Sequence, residues 1–148
     1  MDKIKLRPAT IADLKVILAL EKGADSKMYS ARLKESEVRY SLQREHVFLV
    51  KLRSLTIGLA VYRVAKNQTV TINGLIIAPK YQGRGFARQA MILMLRKIRS
   101  YSRIEMMVHP HNVRALSLYL SLGFMIDSWH KNHFGDGEPR LLLIKKWT

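Results

Sequence analysis

The sequence predicts an α/β domain with a mixed, twisted, mostly antiparallel sheet of about seven strands, flanked by about four helices. Three apolar segments rich in β-branched residues follow one another across short turns between residues 46 and 78, which indicates an antiparallel meander. A glycine-containing turn and a segment with apolar residues at helical spacing come next. A helix in that place is a crossover, so the strand after it should lie parallel to the strand before it.

The N-terminal third predicts one short strand and two helices. Ile4–Arg7 alternates in polarity and is stopped by Pro8, as in a short strand. Thr10 begins a helix-start pattern, and the apolar period that follows runs to Gly23, where we expect the helix to end. After a polar loop, Leu33–Leu42 predicts a second, highly charged helix.

The two-residue alternation of strands and the 3.6-residue period of helices predict the remaining elements. Asn112 is a favourable helix N-cap, and Gly123 is a favourable residue for closing that helix. We expect strands over His46–Leu52, Thr56–Val64, Thr69–Ala78 and Ile104–Val108, helices over Phe86–Ser100 and Asn112–Gly123, and a final hairpin of Phe124–Asp127 with Arg140–Lys146.

Composition limits the class of protein. A chain of 148 residues predicts a single domain, 1–148, with one core. The absence of cysteine excludes disulfides, thiolate metal sites and a cysteine nucleophile, and we predict no metal site. No apolar run is long enough for a membrane span and no signal segment is apparent, so we expect a cytoplasmic protein that acts away from membranes.

The net charge of +15 is the unusual feature of the composition. It favours anionic partners, such as a polyphosphate cofactor, an acidic substrate, nucleic acid or a ribosome surface. The alternative is that the charge provides solubility and nonspecific affinity for nucleic acid. The basic residues are spread along the chain and do not form one tail.

The segment from Thr69 to Ile98 predicts an anion site. It consists of a strand, a turn built on Gly83 and Gly85, and a long helix. The first N–H groups of a helix have no partner within it, and they lie at the positive end of the helix dipole. Arg84 and Arg88 add full charges, so we expect this turn to hold phosphate.

The glycine spacing discriminates among phosphate loops. A nucleoside-triphosphate loop requires Gly-Lys-Ser or Gly-Lys-Thr, and neither occurs in the chain. A dinucleotide loop requires a third small residue where Arg88 stands, although Glu105 lies at about the right distance for a ribose carboxylate. Gln82–Ala87 instead fits Q/R-x-x-G-x-G/A and resembles the pyrophosphate loop of the GNAT family of N-acetyltransferases. A plain helix entry with two turn glycines is the alternative.

A second motif strengthens this resemblance. Residues 112–124 fit N-x-x-A-x-x-L-Y-x-x-x-G-F, which the same family carries after its fifth strand. Two patterns in the right order, with one strand between them, are more specific than either alone. The resemblance implies the GNAT fold, with acetyl-CoA bound in a cleft at the parallel strand pair. The cofactor-binding residues that it implies are Leu75, Ile76 and Ile77 on the strand, Gln82, Gly83, Arg84, Gly85, Phe86, Ala87 and Arg88 in the loop, and Asn112.

The resemblance also implies catalytic roles. Tyr119 corresponds to the general acid that protonates the thiolate leaving group, and Ala115 shares its helix face with Asn112 and Tyr119. The alternatives are that Tyr119 is a buried aromatic residue and that Asn112 is only an N-cap. For Asn112 the two roles are compatible.

The general base is not assigned by the motif. N-terminal protein acetyltransferases often hold Glu or His five residues before the matching Asn, and Met107 stands there in this chain. Strand alternation puts Glu105 and His109 on the same face as Met107, so both are candidates. The alternatives are a solvated charge and a loop-edge histidine. Tyr81 and His133 are further candidates.

These inferences predict an acetyl-CoA-dependent N-acetyltransferase that acts by direct attack in a ternary complex. Its acceptor would be a protein N-terminus, a lysine or a small amine, and the basic surface favours an acidic or ribosome-associated substrate. Residues 132–137 resemble a loop of the ribosomal-protein N-terminal-alanine acetyltransferase branch. The alternative is a noncatalytic acyl-CoA-binding or RNA-associated module on the same scaffold, and a monomer and a homodimer are both compatible with the sequence.

Overall fold

The computed structural model describes residues 2–146, which form one seven-stranded sheet between helices. Every strand except the edge strand Met125–His130 is apolar on at least one face, and each helix has an apolar stripe that it can bury on the sheet. The strands are β1 (Lys5–Pro8), β2 (His46–Leu52), β3 (Leu55–Val64), β4 (Thr69–Ile77), β5 (Arg103–Val108), β6 (Met125–His130) and β7 (Arg140–Lys146), and the helices are α1 (Leu14–Ala24), α2 (Glu35–Arg44), α3 (Phe86–Lys97) and α4 (Val113–Ser121).

The strand order is β1-β2-β3-β4-β5-β7-β6, and only β4 and β5 pair in parallel. This confirms the predicted mixed sheet, its meander over β2–β4 and the crossover through α3. The parallel pair lies at the centre of the sheet. The cleft described below opens where this pair separates.

The helices cover both faces of the sheet. α3 and α4 pack on one face around a large core that includes Met91, Met94 and Ile98. α1 and α2 pack on the other face around a smaller core that includes Ile17 and Val38. The central strands are therefore buried on both sides, which explains their continuous apolar character.

Several element boundaries differ from the sequence prediction. Gly23 does not end the first helix, because it lacks the left-handed conformation of a helix-terminating glycine and α1 continues to Ala24. That helix is preceded by a 3₁₀ turn, Ile11–Asp13, capped by Thr10. α2 begins at Glu35 because the Glu37 carboxylate accepts a hydrogen bond from the N–H at its N-cap. α3 ends at Lys97, three residues early.

Two glycine-to-alanine substitutions should have opposite effects on stability. A Cβ on Gly58 would collide with the backbone carbonyl oxygen of Ile76 on the neighbouring strand, whereas a Cβ on Gly23 would meet nothing within 4 Å. We expect Gly58→Ala to lower the free energy of unfolding by about 1–3 kcal/mol. Gly23→Ala should raise it by about 0.5–1 kcal/mol, because alanine is the better helix former. Urea unfolding monitored by circular dichroism measures both, and an equal effect of the two substitutions would contradict the packing described here.

Candidate active site

The candidate site is a cleft where β4 and β5 separate. Their parallel pairing comprises four residue pairs and ends with Ile72 opposite Met106. Beyond that point each strand continues without the other, so the facing backbone edge of β4 is unpaired. The resulting cleft has a volume of about 390 Å³ and is lined by β4, the glycine loop, α3, β5 and α4.

A β-bulge at Asn73 causes this separation. Val61 and Tyr62 of β3 are consecutive, but they oppose Gly74 and Ile72 of β4, so Asn73 is the extra residue. A bulge bends its strand and shifts the alternation of side chains by one. Val70 and Ile72 therefore face the α3 side before the bulge, and Leu75 and Ile77 face it afterwards.

The three predicted cofactor-binding residues of β4 consequently divide between the faces of the sheet. Leu75 and Ile77 line the cleft. Ile76 is buried on the opposite face against α1 and α2. Since the prediction concerns the backbone of these residues, the free strand edge is the feature that matters. Leu75 and Ile77 present their backbone groups to this edge, whereas the carbonyl of Ile76 faces β3.

The glycine loop forms an anion cradle at one end of the cleft. Gly83 and Gly85 have φ angles of 77° and 82°, a conformation that glycine adopts without strain. The first backbone hydrogen bond of α3 is from the N–H of Gln89 to the carbonyl of Gly85. Within the described chain, the N–H groups of residues 83–88 have no protein acceptor. A Cβ on Gly85 would meet nothing within 4 Å, so the space above the cradle is open.

Cations surround the cradle, including one that the sequence analysis did not identify. The guanidinium of Arg84 lies 5.0 Å from the ring centre of Phe86, which is buried beneath the loop. Arg88 donates a 2.7 Å hydrogen bond to the hydroxyl of Ser121. A guanidinium nitrogen of Arg114 lies 3.4 Å from where the Cβ of the first loop glycine would stand. Arg114 is within the second motif, but the motif pattern does not specify that position.

The other predicted loop residues join the cradle to the cleft. The side-chain amide of Gln82 donates a 2.8 Å hydrogen bond to the carbonyl of Ile77, which fastens the loop to the end of β4. Ala87 and Arg88 line the cleft from the first turn of α3. These residues therefore continue the cradle into the cleft wall.

α4 places Asn112 and Tyr119 on the cleft wall, together with Ala115. Asn112 is the N-cap, and its side-chain oxygen accepts a 3.3 Å hydrogen bond from the N–H of Ala115. The ring of Tyr119 is buried against Phe124, with 6.2 Å between the ring centres. Its hydroxyl makes no hydrogen bond to another described residue. Every fully buried side-chain polar atom of the described chain has a hydrogen-bond partner, so the unpartnered hydroxyl oxygen is not fully buried. The hydroxyl therefore opens into the cleft.

Burial raises the pKa of Tyr119 to about 12. The low-dielectric surroundings disfavour the phenolate, so the hydroxyl stays protonated throughout the neutral range. A protonated hydroxyl open to a cleft can donate a proton to a group that becomes basic there.

The two predicted base candidates are directed away from the cleft. The carboxylate of Glu105 pairs with Arg103 at 2.8 Å. His109 is buried, its Nδ1 accepts a hydrogen bond from the N–H of His111, and its Nε2 lies 2.8 Å from a carboxylate oxygen of Glu138. Neither residue lines the cleft, whereas the side chain between them does, at Met107.

A smaller pocket of about 90 Å³ extends the cleft on the far side of Tyr119. It shares Leu75, Met107 and Tyr119 with the main cleft and is closed by His133 and Phe134 of the β6–β7 loop. Burial lowers the pKa of His133, and the nearby His130 and Arg140 lower it further. The neutral imidazole therefore predominates at pH 7.

A buried polar network supports the other wall of the cleft. Glu21 of α1 accepts 3.0 Å hydrogen bonds from the hydroxyl of Tyr29 and from Arg32. Arg32 also pairs with Glu45 at 3.3 Å, and the amide of Asn73 donates to the same carboxylate. The loop between α1 and α2 is thus fastened to the β4 bulge.

Tyr29 lines the cleft, and the burial of its ring raises the pKa of its hydroxyl further above the usual range. The sequence did contain a signal of this network. Glu21 occupies the apolar period of α1, four residues after the buried Ile17, and a carboxylate at such a position requires an internal partner.

Two further findings limit the chemistry of the described residues. They contain no group of three or more His, Cys, Asp or Glu side chains that could hold a metal ion. No helix among residues 2–146 has the length and apolarity needed to cross a membrane.

The family model for the acetyltransferase (GNAT) family matches residues 14–124, which include both sequence motifs and all residues that line the main cleft. The chain belongs to the GNAT acetyltransferase family. Members are N-acetyltransferases that use acetyl-CoA. No curated protein matches the sequence.

Solved structures confirm the GNAT fold. The ribosomal-protein-S18-alanine N-acetyltransferase from Escherichia coli superposes with a TM-score of 0.81 at 17% identity, over 97% of this chain and 93% of that one. A chimera of the spermidine N-acetyltransferase SpeG from Vibrio cholerae and hSSAT gives 0.82 at 21% identity, over 97% and 95%. A GNAT family acetyltransferase from Elizabethkingia anophelis with acetyl-CoA bound gives 0.76 at 20% identity, over 99% and 100%.

The cleft of this GNAT protein fits acetyl-CoA chemically. The cradle offers backbone donors without acceptors beside open space, as a pyrophosphate requires. The free edge of β4 offers backbone groups that can pair with the amides of an extended pantetheine arm. The cleft wall around Tyr119 is otherwise largely apolar, as a thioester requires.

Substitutions of Gly85 should separate the effect of charge from that of backbone strain. Gly85→Asp adds a carboxylate at the open cradle, and we expect acetyl-CoA affinity to fall at least about tenfold below that of Gly85→Ala. The alanine variant is the matched control, because it has the same left-handed φ penalty without the charge. Calorimetric titration with acetyl-CoA measures both, and equal affinities would show that the phosphates bind elsewhere.

Proposed function

We propose that the protein transfers the acetyl group of acetyl-CoA to a primary amine by direct attack in a ternary complex. One observation carries the proposal: a single cleft joins the anion cradle at one end to the small pocket at the other, and Tyr119 lies at the junction. Two substrates that enter from opposite ends would meet beside this hydroxyl. The geometry thus supports transfer without a covalent enzyme intermediate.

The proposed binding roles follow the contacts of the cleft. The N–H groups of residues 83–88, with Arg84, Arg88 and Arg114 around them, would hold the pyrophosphate. The backbone of Leu75 and Ile77, at the free edge of β4, would pair with the pantetheine arm. Asn112 would cap α4 and contact the same arm, since it lines the cleft.

The reaction requires two proton movements. Acetyl-CoA supplies an activated thioester; the acceptor nitrogen forms a bond to the acetyl carbon as the carbon–sulfur bond breaks. The nitrogen loses one proton and the departing thiolate gains one. Tyr119, held protonated by burial, would donate the proton to sulfur.

His133 is the residue that we propose as the acceptor of the amine proton. It and Tyr119 are the titratable side chains that line the small pocket within the described chain. Their environments shift the two pKa values in opposite directions, which is the usual arrangement of an acid with a base. A role of Glu105 or His109 as the base stays a hypothesis. Either residue would need a proton relay to reach the amine, because each is bonded to another side chain.

The chemistry of the small pocket bears on the acceptor class. It is lined by neutral and apolar groups such as Ile72, Met106 and Phe134, and no carboxylate lines it. A polyamine would find no counter-charge there, so we propose an amine on a protein N-terminus, a lysine or a small uncharged molecule. The Escherichia coli neighbour acts on a ribosomal-protein alanine, which is an acceptor of this kind.

A noncatalytic acyl-CoA-binding role is the second candidate. Met107 favours it, because this side chain lines the cleft where a proton acceptor would be useful. Acetyl-CoA calorimetry at two salt concentrations, followed by thiol release with a panel of peptides and amines, separates the two functions. Release with one acceptor class supports the enzyme. Tight binding without release on any acceptor supports the noncatalytic role, and no binding refutes both.

Tyr119→Phe should lower turnover without weakening cofactor binding. The substitution removes the proton donor and leaves the ring that packs on Phe124. We expect kcat to fall about 10- to 100-fold, with the acetyl-CoA dissociation constant nearly unchanged. Steady-state thiol release and calorimetry measure the two quantities, and an unchanged kcat would reduce Tyr119 to a packing role.

His133→Gln should remove the acidic limb of the pH profile of kcat/KM. The pKa of His133 is lowered, so activity of the unmodified protein should fall only as the pH drops below about 6.5 and the imidazole becomes charged. His130→Gln is the control, because it removes a neighbouring charge but leaves His133 in place. We expect it to move the acidic limb to higher pH without removing it. Superimposable profiles for His133→Gln and the unmodified protein would exclude His133 as the base.

A further inference from the structure

The carboxylates of this protein are almost all engaged internally. Among its eleven Asp and Glu residues, only the side chains of Asp25 and Asp127 make no hydrogen bond or ion pair within residues 2–146. The net charge of +15 is therefore displayed by cations with few acidic neighbours. Their distribution over the surface decides whether the charge is diffuse or local.

Seven cations gather at the end of the sheet where β4 and β5 begin. The register places Arg103 beside Thr69 on one side and Lys146 on the other. Arg63 and Lys66 belong to the β3–β4 hairpin at the same end, and the last turn of α3 and the residues after it lie above them. We call this set the basic pole: Arg63, Lys66, Arg96, Lys97, Arg99, Arg103 and Lys146.

The basic pole is exposed and lacks balancing acids. Six of its members are exposed, and Arg103 is half-buried. Within the described residues, only Arg103 has a carboxylate partner, Glu105. Cations in the last turn of a helix also complement the helix dipole, which accounts for Arg96 and Lys97. The helix dipole does not explain the cations that belong to the sheet.

The basic pole is separate from the anion cradle. Along β4, Leu75 of the main cleft is six positions after Thr69 of the pole, a distance of about 20 Å in an extended strand. The small pocket is nearer, since Thr71 lines it two positions after Thr69. The cations of the anion cradle are at the N-terminal end of α3, whereas the pole includes its C-terminal end. A ligand on the pole would leave the cradle end of the cleft open.

The surroundings of the pole indicate what kind of anion it fits. Most of the large exposed apolar residues of the described chain are elsewhere, including Trp129 and Phe134 on the β6 side and Tyr40 on α2, and Met125 at the start of β6 is the one nearest the pole. Ile92 and Leu95 line a shallow groove beside Arg96 and Arg99, but Ile92 is half-buried and Leu95 is buried, so neither protrudes. A protein partner would require apolar or aromatic anchors, and a membrane surface would require a side chain that inserts. Four of the seven cations are arginines, whose planar guanidinium groups match phosphate oxygens.

We propose that the basic pole binds the phosphate backbone of a nucleic acid, at a surface distinct from the acetyl-transfer cleft. The contacts are to phosphate, so binding is nearly independent of base sequence and depends strongly on salt. The site would hold the enzyme on a nucleic-acid-containing assembly while the cleft acts on an amine nearby. Nothing in this proposal depends on catalysis.

The test uses the whole protein and a labelled 20-nucleotide RNA of mixed sequence, with binding measured by fluorescence anisotropy between 50 and 200 mM salt. The pole variant is Arg96→Gln/Lys97→Gln/Arg99→Gln. The control is Lys15→Gln/Lys22→Gln/Lys27→Gln, which removes the same charge from exposed positions on and after α1. Acetyl-CoA calorimetry on both variants checks that the fold and the cleft are intact.

We expect the pole variant to bind RNA at least about tenfold more weakly than the unmodified protein. A plot of the logarithm of the association constant against the logarithm of salt concentration should be less steep by about 2, because each lost phosphate contact on a single strand contributes roughly 0.7. The control should change affinity less than about twofold, and a DNA strand of the same sequence should behave like the RNA. Equal losses in the two variants would show that only net charge matters and would overturn the proposal. Tighter binding to phosphatidylserine vesicles or to polyglutamate than to RNA at the same salt, or no RNA binding at 100 mM, would also overturn it.

Discussion

The extra residue at Asn73 is the constraint on which the rest of the site depends. A regular β4 would stay paired with β5 along its length, and no cleft would open between them. The bulge ends this pairing, frees one backbone edge and moves Leu75 to the α3 face. The cost of the irregular backbone is offset by two hydrogen bonds of the bulge residue Asn73. Arg32 donates to its backbone carbonyl, and its side-chain amide donates to Glu45. The loop that carries Tyr29 is held by the same two charges.

The two ends of the cleft differ in charge. At the cradle, free N–H groups and three arginines create a positive site, although Arg84 also lies 3.7 Å from the carboxylate of Asp2. At the other end, the walls are neutral and the two titratable side chains are shifted toward their uncharged forms. A charged cofactor and a neutral amine would therefore enter from opposite ends. Burial keeps Tyr119 protonated. His133 is exposed, and partial desolvation together with the nearby His130 and Arg140 lowers its pKa.

The order of elements and the cradle could be predicted from the sequence because both depend on local patterns. Each strand of the meander, the glycine turn and the cap at Asn112 are visible within about ten residues. Contacts between distant segments were not predictable in this way. Strand alternation grouped Glu105 with His109, and the same alternation places Arg103 beside Glu105. The partner of His109, Glu138, is 29 residues away and is determined by tertiary packing.

The bulge itself leaves a weak trace in the sequence. Asn73-Gly74 interrupts an otherwise apolar strand, and small or polar residues in a buried strand are typical of bulges. The position of His133 beside Tyr119 has no local signal, since fourteen residues and an edge strand separate them. Which residues face the cleft is therefore a property of the folded chain.

Hydrogen exchange with and without acetyl-CoA tests the central claim most directly. The account predicts that binding protects the amides of residues 83–88, which have no protein acceptor, and those of Leu75 and Ile77 at the free edge of β4. The amides of the β3–β4 turn should exchange at the same rate in both states. Exchange rates that stay the same in both cleft segments when acetyl-CoA binds would contradict the account.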